Sequence, residues 1–239
     1  MDYRIKVDND LMYDSEEFII NNDIYYMGPM SSIDSVSKGD HATLPYQFIL
    51  ISKKISDESK LEEANSNIHV KKILEQIDSF IGGNFQLNGG FFQFEKDNSS
   101  FNLRISASGI KQIGILQMLL SNGQLKENDY LIIDEPEVNL HPEWQIKLAE
   151  VLVLLVKELN INLYINSHSP HFIEALEVFS VKYDIDEDTR FYMTAPYEET
   201  GKFDFVELDY DNIDILYDNL GSVFDIINKV RIENMMNRL

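Results

Sequence analysis

A chain of 239 residues with 44% hydrophobic content can bury one sizeable core, and having no cysteine it cannot build a disulfide framework, a thiolate metal site or a cysteine nucleophile. With 41 acidic against 20 basic residues the net charge is −21, a field that repels nucleic acid and anionic membrane. No apolar run approaches the roughly 20 residues that span a bilayer and MDYRIKVDND is not a signal peptide, so the expectation is one principal domain, soluble and cytoplasmic, binding neither membrane nor nucleic acid directly.

The first 45 residues mix Asp, Asn and Ser with short apolar clusters such as FIINNDIYYM, and GPMSS and KGDHATLP punctuate them. This predicts irregular structure with short strands. From Tyr46 to Phe80 apolar residues recur at threes and fours, through Phe48, Ile51 and Ile55 and then Ile68, Ile73 and Ile77, which predicts helix ended by IGGN. Phe85 to Ile105 alternates apolar and polar residues, broken by two turn clusters, and predicts a small antiparallel β unit, turning first at Gly89 and Gly90. Ile110 to Leu120 is helical, entered through the small residues Ser106, Ala107, Ser108 and Gly109.

Leu131–Ile133 and Leu163–Ile165 are fully apolar runs separated by an apolar helix from Glu143 to Leu159. Runs without alternation suit parallel strands covered on both faces, and such crossovers are right-handed in ~98% of cases. The fold class is therefore α/β, a parallel sheet core flanked by helices. Lys182 to Asp218 carries 12 Asp/Glu against three Lys/Arg and contains the strand-like RFYMT and FDFVEL. An amphipathic helix from Ser222 to Met236 follows, with Val223, Phe224, Ile226, Ile227 and Val230 as its apolar stripe.

Parallel strands joined by one helix place Asp134/Glu135 and Ser167/His168 at the same carboxyl edge, where open α/β sheets bind ligands. Asp134 there is suited to hold a hard cation, directly or through water. Glu135 is placed to orient a water, or take its proton, as the water attacks a terminal phosphate. An isolated Asp-Glu pair more often opens a solvated loop; here it follows an apolar strand and faces a second polar strand end. His168 offers a donor for a phosphate, while Ser169-Pro170 beside it also reads as a helix start. His141 serves turn formation and helix entry, and Trp144 packing. The amides at Ser108 and Gly109, at a positive helix end, suit a phosphate, although many helices start this way for capping alone.

The order SASGIKQ, YLIIDEPEVNLHPEWQ, INSHSP resembles the C-terminal half of ABC-type ATPases of the RecF, SMC and OLD group, especially bacterial AAA-family ATPases with DEPE and LHP. The resemblance implies a signature motif over 106–112, with Ser108 and Gly109 contacting nucleotide held by an opposing subunit and Lys111 and Gln112 following. It implies Asp134 as the Walker B aspartate for magnesium, Glu135 as the catalytic glutamate, a D-loop over 138–141 including Asn139, and His168 as the switch histidine. Gln47 resembles the Q-loop glutamine. The implied organisation is an irregular and helical segment over 1–80 and an ABC-ATPase-like lobe over 81–239. The resemblance also implies ATP and Mg2+ as cofactors, a homo- or hetero-oligomeric partner, and family roles in DNA maintenance or in defence against phages and plasmids.

One departure is sharp. The family's GxxxxGK[S/T] loop cradles phosphates with amides and a lysine. GPMSS, GDHATLP and GGNFQLNGG all lack the Gly-Lys-Ser/Thr ending, and no other run supplies it. The expectation is a chain that begins after the strands carrying that loop, and hence an incomplete ATP site completed from elsewhere. The alternative is a non-catalytic ABC-like module regulating a partner ATPase. A metal-dependent nuclease or hydrolase ranks last, for want of further clustered carboxylates.

Overall fold

A computed structural model describes residues 24–27, 54, 56–57, 59–88, 91–97, 99–102, 108–196, 202–210, 212–217 and 229–232. Gln47, Gly89, Gly90 and most of the 222–236 helix lie outside these residues.

Among the described residues the centre is a parallel sheet of three strands in the order β1 (Ile24–Met27), β5 (Tyr130–Asp134), β6 (Asn162–Asn166). Met27 pairs with Ile133, and Ile133 with Ile165, so the three strands run side by side in register. This is the expected α/β class. Its third strand, β1, comes from the segment that sequence patterning marks as irregular with short strands.

Among the described residues two helices precede the β unit, α1 (Leu61–Ser66) and α2 (Ile68–Ile81). They are separate because Asn67 between them is extended and its side chain accepts from the His69 and Val70 amides, capping α2. Gly82, in the left-handed region at φ 63°, ends α2 as the IGGN signal predicts, donating its N–H to the Asp78 carbonyl. The β unit is an antiparallel meander of β2 (Asn84–Asn88), β3 (Phe91–Lys96) and β4 (Ser99–Asn102). It docks on α3 (Ser108–Ser121) where Gly114 lets the Phe85 ring approach: a Cβ on Gly114 would stand 2.5 Å from the ring.

Helix α4 (Pro142–Leu159) crosses from β5 to β6. His141 Nδ1 accepts from the Glu143 amide, Pro142 occupies the first turn, and Asn160 closes the helix in the left-handed region. Its apolar face, including Leu148, Leu152, Leu154 and Leu155, is buried, each such side chain contributing roughly 1.5–3 kcal/mol on leaving water. One continuous core joins Met27, residues of α2 and α3, β5, α4 and Phe172. Trp144 packs edge-on against Phe80, ring centroids 5.8 Å apart, the packing role its position suggests.

Helix α5 (Pro170–Lys182) starts at Ser169, whose hydroxyl caps the Phe172 amide, with Pro170 in the first turn. RFYMT and FDFVEL form the antiparallel hairpin β7 (Phe191–Pro196) and β8 (Phe203–Leu208). A second small cluster of Ile173, Leu208, Ile213 and Leu216 seats that hairpin on α5.

Candidate functional site

The carboxyl ends of β5 and β6 carry the site, and their register fixes who faces whom. Asp134 pairs with Asn166, and the Asn166 side-chain amide donates to Asp134 Oδ1 at 2.8 Å, leaving Oδ2 for another partner. The chain then turns at Glu135, whose N–H donates to the Asn166 carbonyl at 2.8 Å. Glu135 sits at φ 48°, in the left-handed region unusual for a side chain other than glycine, asparagine or aspartate. Backbone strain of this kind concentrates at functional sites.

That turn aims the Glu135 carboxylate at the second strand end. His168 Nε2 lies 3.6 Å from Glu135 Oε1, the imidazole largely exposed and the carboxylate about one-third exposed. Asn139 follows in the same turn at φ 63° and is exposed, four residues beyond Glu135. The structure thus brings Asp134, Glu135 and His168 together at one sheet edge with Asn139 on the adjoining turn. Ser108 and Gly109 are the first residues of α3. Lys111 and Gln112 after them are buried, turned into the protein.

A residue that sequence reasoning passed over organises this edge. Glu137 is only 5% exposed, and its Oε1 accepts from the Ser167 hydroxyl at 2.7 Å and from the His168 amide at 3.2 Å. Ser167 Oγ in turn accepts from the Ser169 amide, and the Ser169 hydroxyl donates to Gln145 Oε1 at 2.9 Å. Gln145 Nε2 donates back to the carbonyls of Leu140 at 3.2 Å and Glu137 at 3.4 Å. The circuit ties the DEPEVNL turn, the start of α4 and the SHSP turn into one body. Glutamate is an ordinary surface residue in sequence, so only the register of β5 on β6 exposes its role, as it does the pairing of Asn166 with Asp134.

No group of three or more His, Cys, Asp or Glu side chains among the described residues forms a metal cage. Asp134 is of the chemistry that suits magnesium, which is typically held by one or two carboxylates, waters and substrate phosphates rather than by an all-protein shell.

The sequence profile of the AAA ATPase domain matches residues 43–173, more than half of the chain and every candidate site residue. The chain belongs to the AAA ATPase domain family. Nucleotide is the general ligand class of that domain family. A 77-residue stretch is 32% identical to the Septu protein PtuA of Bacillus thuringiensis, covering 30% of this chain and 19% of that protein. Among solved structures the ATPase domain is similar to the SMC head domain of Thermotoga maritima, at 14% identity over 77% of this chain and 53% of that one, TM-score 0.43. It is also similar to the Smc head domain of Pyrococcus furiosus, solved with an extended coiled coil and bound to the C-terminal domain of ScpA, at 10% identity over 86% of this chain and 64% of that one, TM-score 0.42. The chain spans less than two thirds of each of these relatives. No helix among the described residues is long and apolar enough to cross a membrane.

Proposed function

We propose that this AAA ATPase domain contributes one wall of an ABC-type ATP site, whose phosphate-gripping loop comes from outside these 239 residues. The observation that carries this reading is the convergence of Asp134, Glu135 and His168 at the ends of two paired parallel strands, with Glu135 and His168 3.6 Å apart.

In this reading Asp134, oriented by Asn166, would hold Mg2+ directly or through water. The ion supplies charge neutralisation on the phosphates when bound. Glu135 orients the attacking water and accepts its proton, a role that typically contributes 10²- to 10⁴-fold in rate. His168 donates a hydrogen bond to the terminal phosphate. Ser108 and Gly109 present amides at the start of α3 to nucleotide held by an opposing subunit, with Asn139 at the same boundary and Gln47 as a further nucleotide contact. The partner is a homo- or hetero-oligomeric ABC-type ATPase subunit bearing a GxxxxGK[S/T] loop. With 41 acidic against 20 basic residues, this chain itself does not grip nucleic acid.

The absence of GxxxxGK[S/T] from the sequence favours a second reading, a non-catalytic module that regulates a partner ATPase. Equilibrium dialysis with Mg·ATP tests the division of labour. The isolated chain should show no saturation in the micromolar range, whereas the assembly purified from native cells through a tag on this chain should saturate. Binding by the isolated chain with Kd below roughly 10 μM, about −7 kcal/mol, would contradict the proposal.

A further inference from the structure

We infer that Glu137 is a positioning residue for His168: one buried carboxylate oxygen holds the Ser167 hydroxyl and the His168 amide, and so sets the imidazole against Glu135. The inference rests on the role proposed for His168 above.

Three observations carry it. Glu137 is 5% exposed, and its Oε2 is buried with no hydrogen-bond partner among the described residues. Buried polar groups are nearly always satisfied, and a carboxylate held with one oxygen orphaned is a poor choice for stability alone. Second, both donors that Oε1 does accept come from the strand end bearing His168, at 2.7 and 3.2 Å. Third, Glu137 lies in the same turn as Glu135 and Asn139, and its carbonyl accepts from Gln145, so the carboxylate cannot shift without moving that turn.

The attraction between Glu135 and His168 themselves does not do this work. Both side chains meet solvent and stand 3.6 Å apart, where an ion pair contributes little. Their relative placement comes from backbone anchors: Glu135 N–H on Asn166, and His168 N–H on Glu137. Of these the second is a side-chain contact, and therefore the one that substitution can remove.

The test uses the full chain and three variants. Glu137→Ala removes the acceptor, Glu137→Met removes it while keeping the buried volume, and Glu137→Gln keeps an oxygen at Oε1. By NMR, Ala and Met should accelerate exchange of the His168 amide on the order of tenfold or more and abolish the Overhauser contact between the His168 ring and the Glu135 methylenes; Gln should preserve both. In the native assembly, Ala and Met should lower kcat for ATP roughly tenfold with KM within about twofold, and Gln should restore it. An unchanged His168 amide and ring contact in a folded Met or Ala variant would overturn the inference, whatever the activity. An assembly without hydrolysis even in wild type would sink the proposed ATPase role, while the NMR arm still decides the placement of His168.

Discussion

Oε1 of Glu135 and Nε2 of His168 stand 3.6 Å apart at the ends of two adjacent parallel strands, and neither side chain is held there by the other. The backbone of each is anchored instead: Glu135 N–H on the Asn166 carbonyl and His168 N–H on the Glu137 carboxylate. The pair contributes little to stability.

It follows that replacing either side chain leaves the fold intact. Glu135→Gln and His168→Ala should each change unfolding free energy by less than about 0.5 kcal/mol, as surface substitutions away from packing and caps do. Urea denaturation of the isolated chain measures this. A loss of several kcal/mol would mean that the two side chains bear on the core in a way their exposure does not indicate.

Asn166 should matter for metal rather than for folding. Its amide orients Asp134 through a 2.8 Å hydrogen bond, and residues that orient a ligand typically alter metal affinity 10- to 100-fold when lost. Asn166→Ala should therefore raise the Mg2+ concentration that half-saturates hydrolysis in the native assembly by about tenfold or more. Asn166→Asp, which puts a second carboxylate opposite Asp134, should not restore the hydrogen bond.

The β meander depends on a close approach. At Gly114 a Cβ would lie 2.5 Å from Phe85, and that ring is buried against Phe94 with centroids 4.9 Å apart. Gly114→Ala should cost about 1–3 kcal/mol through overpacking, against the gain alanine usually gives within a helix. Thermal unfolding with Phe94→Leu in the same background should recover part of the loss, since it makes room for the Phe85 ring.

How much of this was legible in sequence varied with how local the cause is. β5, α4 and β6 follow from apolar runs bounded by their own caps, His141-Pro142 before α4 and Ser169-Pro170 before α5. β1 resists such reading because IYYM is four residues long in a polar segment, and its strand identity comes from pairing with β5 more than a hundred residues later. The division of α1 from α2 was hidden because Asn67 interrupts no apolar periodicity; it acts through its backbone and cap. That Asp134, Glu135 and His168 meet at one sheet edge was legible because parallel strands joined by one helix end at the same edge. Glu137 was not, because nothing local distinguishes a buried glutamate from a solvated one.

Between α2 and α4 an ion cluster gives a pH signature. Lys72 and then His69 hydrogen-bond to Glu158 and hold its carboxyl below the ordinary value of 4.5. A depressed carboxyl contributes stability that is present above the ordinary range and lost as pH falls through the depressed value. Wild type should thus unfold at a higher temperature than Glu158→Gln at pH 7, and the gap should close on acidification below 4.5. Comparing the two at each pH cancels the relief of self-repulsion that any chain of net charge −21 gains in acid. A gap that persists unchanged at low pH would show that packing, not ionisation, sets the contribution of Glu158.

The role proposed for Glu135 is hydrolysis in a site this chain completes with a partner. ATP turnover by the assembly purified from native cells, wild type against Glu135→Gln, is the decisive measurement. The substitution should lower turnover at least about 100-fold while Mg·ATP binding persists. Turnover unchanged in Glu135→Gln would contradict it, as would a wild-type assembly that binds ATP without hydrolysing it.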